Sequence, residues 1–319
     1  MRTVTSARPA PPTDPSRSGN VTVGRRTIRL THPDRVVFPD LGITKAELVD
    51  YYRRVAPVMV PFLRGRPLML QRLRGDLPSG QLFYQKEAPG YFPSWIRRVT
   101  VSNRGGTVTH AICDDVATLV YLANQGVITP HPWLARADDP DRPDRLVFDL
   151  DPSVDALDEV RFAARAVGDL LREVGLQPFL MATGSRGFHV VAAIRREAPF
   201  PIVNAIAAAL AEALADRAPD RLTTEFSKAG RGTRVFIDYH RNMYAQTAVP
   251  PYAVRPRPGA PVATPLAWEE LDRARPDGWS IRAMLDRLDR TTDPWSGFGR
   301  HPRSIDHVRR WLERRTRRA

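Results

Sequence analysis

Residues 145–153, RLVFDLDPS, decide the fold, because an apolar run there ends in two acids. The pattern predicts a buried strand that delivers the carboxylates of Asp149 and Asp151 at its end. Residues i and i+2 of a strand point to the same face of a sheet, so both carboxylates face one point. A second apolar strand, VFID, ends in Asp238. Three acids at strand ends are the ligands that a two-metal phosphoryl-transfer site requires, and a bound cation would relieve their repulsion.

A structural role for the first two acids is also open at this point. The Asp-x-Asp motif is short, and the same carboxylates could form a solvated turn that caps a helix beginning near Ser153. Asp238, at the end of a comparable strand, favours the metal site.

The rest of the chain alternates strands and helices irregularly, which predicts an α+β fold rather than a regular doubly wound sheet. Thr44 and Glu47 form a capping box that starts a helix, and we expect this helix to break near Pro57 and Pro61. The residue patterns predict strands at 23–30, 68–73, 81–85, 145–150, 179–182, 189–194 and 233–239, helices at 116–125, 154–174, 202–214, 280–288 and 304–317, and an extended proline-rich segment at 250–265.

Length and composition fit one large domain or two intimate modules. The chain has 319 residues, a hydrophobic share of 42% and a mean hydropathy of −0.35, so it can bury a core. It has no apolar run long enough for a transmembrane helix. Residues 1–20 lack the apolar core of a secretory signal, and their Pro/Ser/Thr content predicts a disordered tail. A single cysteine, Cys113, excludes a disulfide framework and a multi-cysteine zinc site and favours the reducing cytosol.

The charge balance indicates a polyanionic partner. Lys and Arg number 48 against 35 Asp and Glu, which gives a net charge of +13. Such a surplus favours binding to nucleic acid or to an acidic membrane surface.

The segment TGSRGFH, residues 183–189, lies between two predicted strands. Its glycines let the backbone approach a ligand, while Ser185, Arg186 and His189 offer donors that suit phosphate. The GxxxxGK[ST] pattern of a P-loop is absent. Taken alone, the segment is more typical of an ordinary hairpin turn.

Three arginines near the third acid are candidates for a triphosphate site. Arg231 and Arg241 bracket Asp238, and Arg255 follows in the proline-rich segment. Guanidinium groups beside acids suit a triphosphate, but each arginine alone also fits ordinary surface charge. His131, held between prolines in a predicted loop, fits a structural histidine equally well.

The N-terminal part offers a second possible phosphate contact. Arg35 and Lys45 flank a turn and a helix start, where backbone amides and cations can converge on an anion; two solvated surface cations are the alternative. Phe83 and Tyr84 could stack on a base or lie in the core. Adjacent strand residues face opposite ways, so we expect at most one of them to do each job.

Together these segments resemble the polymerase domain of bacterial ATP-dependent DNA ligase D, a member of the archaeo-eukaryotic primase superfamily. The resemblance runs over about residues 23–296. It is carried, in order, by THPDRVVFP, GITKAELVDYY, GRPLMLQR, FYQKEAPGYFPSWI, NQGVITPHPW, LVFDLDPS, TGSRGFHVV, GRGTRVFIDYHRN and TAVPPYAVRPRPGAPVATPLAWEEL.

The resemblance implies an archaeo-eukaryotic primase-like fold, with two mixed or antiparallel sheets flanked by helices and an RRM-like catalytic module. On this basis we expect a primase-polymerase domain at 21–296, with an N-terminal module at 21–144 and a catalytic module at 145–296. A tail at 1–20 and a basic C-terminal helix at 297–319 would flank it.

The resemblance also implies residue roles. The catalytic metal ligands would be Asp149, Asp151 and Asp238, with Mn²⁺ preferred over Mg²⁺. The incoming nucleotide, an NTP or dNTP, would be held by Thr183, Ser185, Arg186, His189, Arg231, Arg241 and Arg255, with His131 near the ribose and favouring ribonucleotides. The DNA would be held by Arg35 and Lys45 at a downstream 5′-phosphate and by Phe83 and Tyr84 near the gap.

The sequence departs from the family pattern at a few positions. Thr183 stands where many relatives carry Ser, Arg186 where many carry Lys, and Gln71 where Lys can occur. The first two changes keep a hydroxyl and a cation, so we expect them to tune the function of the segment rather than abolish it. No KxDG ligase nucleophile motif is present. The initial Met and the basic ending WLERRTRRA favour a stand-alone chain over a piece of a fused protein.

The resulting expectation is a metal-dependent, DNA-directed nucleotidyltransferase that extends primer 3′ ends at gaps or breaks. Its setting would be the bacterial nucleoid, in end joining beside Ku and a DNA ligase or in short-gap filling, with no membrane partner. A two-metal nuclease is the first alternative, disfavoured by the arginines suited to a triphosphate. A non-catalytic DNA-end-binding module is the second, disfavoured by the three intact acids.

Overall fold

The computed structural model describes residues 19–75, 77, 79–103, 105–300 and 302–316, so most of the tail predicted at 1–20 lies outside the described residues. The helices are α1 (Lys45–Leu63), α2 (Val116–Asn124), α3 (Leu157–Glu173), α4 (Phe200–Arg217), α5 (Lys228–Arg231), α6 (Ile281–Arg290) and α7 (Asp306–Thr316). The strands are β1 (Asn20–Val23), β2 (Arg26–Arg29), β3 (Val36–Phe38), β4 (Ile43–Thr44), β5 (Leu68–Arg74), β6 (Gln81–Gln85), β7 (Arg98–Asn103), β8 (Gly106–Ala111), β9 (Val127–Pro132), β10 (Ala135–Arg136), β11 (Asp139–Pro143), β12 (Arg145–Pro152), β13 (Pro178–Ala182), β14 (Phe188–Ala193), β15 (Leu222–Thr223), β16 (Val235–Asp238) and β17 (Thr264–Leu266).

The largest sheet has six strands in the order β15-β16-β12-β14-β13-β17. All of its pairs are antiparallel except β15 with β16. Along the chain the order is β12, α3, β13, β14, α4 and β16, with the short β15 and α5 inserted before β16, and this is the β-α-β-β-α-β arrangement of ferredoxin-like folds. The α+β class expected from the sequence is confirmed.

The two faces of β12 explain where the sheet places its acids. Leu146, Phe148 and Leu150 belong to a buried cluster with residues of α3 and α4, so the helices cover this face. Val147 lies on the opposite face, in a cluster shared with the N-terminal part of the chain. Because side chains alternate along a strand, the carboxylates at 149 and 151 lie on the face that Val147 shares.

The N-terminal part contributes the opposing wall of a cleft. Its three-stranded antiparallel sheet, β6-β5-β9, packs with α1 and α2 in the cluster that includes Val147. Thr129 of β9 donates a hydrogen bond to the Val254 carbonyl at 2.5 Å, and Tyr51 of α1 donates to the Tyr252 carbonyl at 2.7 Å. These bonds hold the proline-rich segment against the N-terminal sheet, beside the acids.

The expected break of α1 at its two prolines is wrong. The helix continues to Leu63 with Pro57 and Pro61 inside it. Both prolines lie on the exposed side, where water can reach the carbonyls that lose a donor, while the buried face of the helix packs in the core. The packing of this face against the core outweighs the local free-energy cost of the two prolines.

Other local expectations also need correction. The strand expected at 23–30 is a hairpin of β1 and β2, and Gly24 takes the left-handed φ of +57° in its turn. His131 lies in β9, not in a loop. Several helix and strand bounds differ by a few residues: α3 begins at Leu157 instead of 154, and α4 extends beyond 202–214 at both ends. Within the described ranges, no helix is long and apolar enough to cross a membrane.

Candidate active site

Three acids and a histidine form one group on the face of the large sheet that lies opposite α3 and α4. Asp149 of β12 lies directly opposite His189 of β14 on one side and Asp238 of β16 on the other. Directly opposed residues in antiparallel strands share a face, and Asp151, two residues further along, shares it too. The structure therefore brings the three sequence-predicted acids together.

The first acid is held by two basic groups. His189 Nε2 lies 3.2 Å from one carboxylate oxygen of Asp149, and Arg241 lies 3.1 Å from the other. Arg241 also contacts Asp238 at 3.2 Å. Burial alone would raise the pKa of Asp149, but His189 and Arg241 together lower it below its usual range.

The surroundings of the other two acids raise their pKa values instead of lowering them. Burial, and then the charge of Asp149, raises the pKa of Asp151. Burial also raises the pKa of Asp238, although Arg241 acts against it. The group thus holds more negative charge than its neighbouring cations neutralise.

These side chains are of the kind that binds a divalent ion, but in this structure two of the carboxylates contact Arg241 and His189. In the part of the chain that the structure describes, no three acidic, histidine or cysteine side chains are arranged to hold a metal ion. Arg241 bridges Asp149 and Asp238 instead. Carboxylate oxygens are the ligands that Mg²⁺ and Mn²⁺ prefer, and a bound cation would favour the charged forms of Asp151 and Asp238, whose pKa values burial raises.

The alternative role of Asp149 and Asp151 as helix caps is wrong. Helix α3 begins at Leu157, its N-cap is Ala156, and no side chain caps it. The two acids lie several residues earlier, in β12.

Residues 183–187 form a tight turn between β13 and β14, pressed against β12, while Phe188 and His189 of the predicted segment lie in β14. A Cβ on Gly187 would lie 1.8 Å from the Leu150 carbonyl oxygen, so only glycine allows this approach. Gly184 takes a φ of +66°, and a Cβ there would lie 2.7 Å from the Arg255 side chain. Thr183 donates its hydroxyl to the Gly187 carbonyl at 2.8 Å, so it supports the turn.

Asp149 and Asp151 line a cleft of about 380 Å³. Its lining includes most of the predicted nucleotide-binding residues: His131, Thr183, Ser185, His189, Arg241 and Arg255. Arg255 donates to the Thr183 carbonyl at 2.8 Å, and its Nε has no partner within the described residues. This N–H is buried and lacks an acceptor of its own.

His131 is held on the cleft wall opposite the acids. Its Nε2 lies 3.4 Å from Gln71 Oε1, and the Gln71 amide donates to the Tyr84 hydroxyl at 3.0 Å. Burial, with the charges of Arg255 and Arg241, lowers the pKa of His131 to about 3. His131 is therefore neutral and can exchange a hydrogen bond but carries no charge.

Two predicted nucleotide contacts lie beside this cleft rather than in its lining. Arg231 donates to the carbonyls of Glu225 and Phe226 and packs on the Phe236 ring, 3.9 Å from the ring centroid. Arg186 is exposed and lines a neighbouring cavity behind the turn.

A second basic cavity, of about 420 Å³, lies across β6 from the cleft. Arg35, Lys45 and Phe83 line it, whereas the neighbouring Tyr84 lines the cleft. The two aromatic side chains therefore face opposite ways, as expected of adjacent strand residues. Lys45 bonds to the hydroxyl of Thr31 at 2.6 Å, and burial together with Arg35 lowers its pKa to about 8.

Some lining residues were not singled out from the sequence. Met69, Gln246 and Thr247 line the cleft, and Arg72 lines the second cavity beside Phe83. Neither charge runs nor glycine patterns mark the first three. Arg72 could have been found from its position on β5, directly opposite Phe83.

Comparisons with known proteins agree with this geometry. The family model described as "LigD, primase-polymerase domain" matches residues 44–295. The multifunctional non-homologous end joining protein LigD of Mycolicibacterium smegmatis is 32% identical over 83% of this chain and 35% of its own length. The Pseudomonas aeruginosa protein of that name is 33% identical over 98% of this chain and 38% of its own length. The chain thus spans little more than a third of these relatives.

A solved structure supports the same assignment. The polymerase domain of Mycobacterium tuberculosis ligase D, in complex with DNA, superposes with a TM-score of 0.79 and 31% identity, over 84% of this chain and 96% of that one. The chain belongs to the LigD primase-polymerase domain family, whose members are nucleotidyltransferases that use a divalent metal and nucleotide substrates.

Proposed function

We propose that this protein adds nucleotides, preferentially ribonucleotides, to primer 3′ ends at gaps or broken ends of DNA. The observation that carries the proposal is the cleft in which Asp149 and Asp151, with Asp238 directly opposite Asp149 on the next strand, lie among donors suited to phosphate. A triphosphate carries charge that the arginines here can pair with. The net charge of +13 supports DNA as the second substrate.

Asp149, Asp151 and Asp238 would hold the divalent ion, for which we propose Mn²⁺ in preference to Mg²⁺. When bound, the ion would lower the pKa of the primer 3′-hydroxyl and neutralise charge on the reacting phosphate. Arg241 bridges Asp149 and Asp238 in this structure and would release one or both of them when the ion binds. The freed guanidinium can then turn to the phosphates of the nucleotide.

The remaining cleft residues would orient the nucleotide. Arg255 has an unpartnered Nε and would pair with the triphosphate, together with Ser185 on the glycine turn. His189 holds Asp149 in place through its Nε2. His131, neutral and held by Gln71, would accept or donate one hydrogen bond to the ribose 2′-hydroxyl and so favour ribonucleotides.

The second basic cavity would bind the 5′-phosphate of the strand across the gap. Arg35 and Lys45 supply two cations, and the Arg35 Nε has no hydrogen-bond partner in the described part of the chain. Phe83 lies between this cavity and the cleft and packs beside Arg72 and Arg74. Its ring could stack on a base at the gap.

We further propose that the protein works in non-homologous end joining, beside Ku and a DNA ligase, at the bacterial nucleoid. The names of the relatives, which are end-joining proteins, support this setting. Short-gap filling would use the same chemistry.

Primer extension tests the proposal directly. Labelled gapped DNA is incubated with NTPs, and separately with dNTPs, in Mn²⁺ or Mg²⁺. We expect longer products, with NTPs and Mn²⁺ giving the most. Shorter products would indicate a nuclease, and a shifted but unchanged band would indicate a DNA-binding module without catalysis; either outcome contradicts the proposal.

A further inference from the structure

A cavity of about 730 Å³ lies away from both sites described above, at the start of β12. Arg145, the first residue of this strand, lines it, whereas Asp151 lies six residues further along. At about 3.3 Å per residue, the strand separates the two positions by about 20 Å. The cavity therefore does not belong to the nucleotide cleft.

The lining of this cavity carries a surplus of positive charge. Five arginines line it against two aspartates, Asp144 and Asp293, although one of the five, Arg196, is paired with Asp138 outside the lining at 2.8 Å. The arginines are Arg66, Arg136, Arg145, Arg195 and Arg196. A surplus of this kind attracts an anion.

One carboxylate serves three of these guanidinium groups. Asp144 accepts hydrogen bonds from Arg66 at 2.6 Å and from Arg136 at 2.9 Å, and lies 3.7 Å from Arg145. Arg66 and Arg145 are only 1% and 6% exposed. Two buried cations beside one shared carboxylate leave charge uncompensated, which costs free energy unless another anion binds.

Unpartnered donors point to the same conclusion. The Nε atoms of Arg66, Arg145 and Arg196 are buried and have no hydrogen-bond partner among the described residues, although the Arg145 Nε lies 3.7 Å from Asp144. Carbonyl oxygens satisfy only part of the two buried groups: Arg66 donates to Trp133 and Leu134, and Arg145 to Phe62. Burial lowers the pKa of Arg145 and of Arg66, and the charge of Asp144 offsets this only in part.

The other wall of the cavity is apolar. Pro57, Pro61 and Phe298 line it, and the Arg145 guanidinium lies 5.5 Å from the Phe298 ring centroid. The volume lies in the range of pockets that bind small organic molecules, whereas a phosphate ion alone would leave most of it empty. The family model matches residues up to 295, so Phe298, Gly299 and Pro302 of this lining lie beyond the matched region.

We propose that this cavity is a second binding site, which takes a small phosphate monoester of the size of a nucleoside monophosphate. Its phosphate would pair with the arginine group around Asp144, and its organic part would lie against the apolar wall. The proposal concerns a different part of the molecule from the nucleotide cleft and does not depend on polymerase activity.

Calorimetric titration with adenosine monophosphate tests the site. EDTA is present and DNA is absent, so that ion-dependent binding in the nucleotide cleft is suppressed. We expect one saturable site per chain, and no measurable binding of adenosine, which lacks the phosphate. Arg195→Ala should weaken binding about tenfold, the effect of losing one charge-assisted contact. Arg195 is exposed, so this variant should fold.

Three further variants complete the test. Arg273→Ala removes another exposed arginine and should leave binding unchanged, as should Arg241→Ala in the nucleotide cleft. Arg145→Lys keeps the charge but loses the guanidinium fork and should also weaken binding, with its fold checked by circular dichroism. The proposal is wrong if adenosine monophosphate shows no saturable binding, if Arg195→Ala binds like Arg273→Ala, or if Arg241→Ala abolishes binding.

Discussion

Asp149 and Asp151 lie two residues apart on one strand face, yet their surroundings shift the two pKa values in opposite directions. His189 and Arg241 lower the pKa of Asp149 overall, whereas burial and the charge of Asp149 raise that of Asp151. A carboxylate that is short of positive charge gains most from a bound ion. At the residue scale, Asp151 therefore has the stronger need for the metal.

The first prediction concerns these acids. Asp149→Asn and Asp151→Asn should each abolish nucleotide addition on gapped DNA, because an amide is a poor ligand for a divalent ion. DNA affinity, measured by gel shift at one salt concentration, should stay close to wild type, because the basic surface is unchanged. Asp169→Asn, on the exposed side of α3, is the matched control and should remain active. Extension by the double variant would contradict the assignment.

The second prediction concerns the sugar. His131→Ala should lower kcat/KM with NTPs by about 2- to 10-fold more than with dNTPs, the effect of one lost hydrogen bond. The contact exists only when the 2′-hydroxyl is present. Met69→Leu, directly opposite His131 on β5, changes the same wall without removing a polar group and should affect both substrates equally. Equal losses with both sugars in His131→Ala would make His131 a structural residue.

At the scale of elements, the turn between β13 and β14 depends on one glycine. A Cβ at Gly187 would meet the Leu150 carbonyl at 1.8 Å, so Gly187→Ala must push the turn away from β12. We expect loss of nucleotide addition and a destabilisation of about 1–3 kcal/mol, the usual cost of overpacking. Chemical denaturation measures the second effect. Gly90→Ala, where a Cβ meets open space, should change neither property.

Features that depend on neighbouring residues could be predicted from the sequence, whereas features that depend on contacts between distant residues could not. The capping box of Thr44 and Glu47 is local and was predicted correctly. The continuation of α1 through Pro57 and Pro61 depends on packing against distant residues, so local rules failed there.

The same distinction holds for the site. The acids and the glycine turn carry local patterns, and the predicted turn between two strands is present. The bridge that Arg241 makes between two acids, and the second basic cavity behind β6, arise only when separate strands meet. The roles of these residues remain predictions.

At the scale of the whole molecule, the two cavities share β6 as their partition. Phe83 faces one and Tyr84 the other. If both cavities bind phosphate as proposed, a strand whose sides face them sets a fixed distance between a nucleotide at the acids and a 5′-phosphate beside Lys45. This arrangement predicts that the protein recognises the two sides of a gap together.

The pH dependence of DNA binding tests the charge on Lys45. Burial and Arg35 lower its pKa to about 8, so Lys45 is charged below that pH and neutral above it. A 5′-phosphate gains its second charge above about pH 6. The preference for 5′-phosphate over 5′-hydroxyl ends should therefore be largest between about pH 6 and 8 and decline on both sides. A bound phosphate raises the pKa of Lys45 and moves the alkaline decline upward. Lys45→Arg should remove the alkaline decline; an unchanged decline would assign it to another group.

The last prediction is that Arg35 and Lys45 together supply the preference for a phosphorylated end. Internal phosphates occur all along DNA, so only the additional charge of a terminal phosphate can define a position. Wild-type protein should bind gapped DNA with a 5′-phosphate more tightly than with a 5′-hydroxyl by about 1–3 kcal/mol. The double variant Arg35→Ala, Lys45→Ala should lose this difference and still add a nucleotide at the acids, because β6 separates the two cavities.

Arg53→Ala with Arg54→Ala, on α1 away from the cavity lining, removes the same charge and should keep the preference. Affinities are compared at one salt concentration, since the basic surface as a whole is salt-dependent. If the Arg35/Lys45 variant still distinguishes the two ends as wild type does, the terminal phosphate binds elsewhere on the molecule.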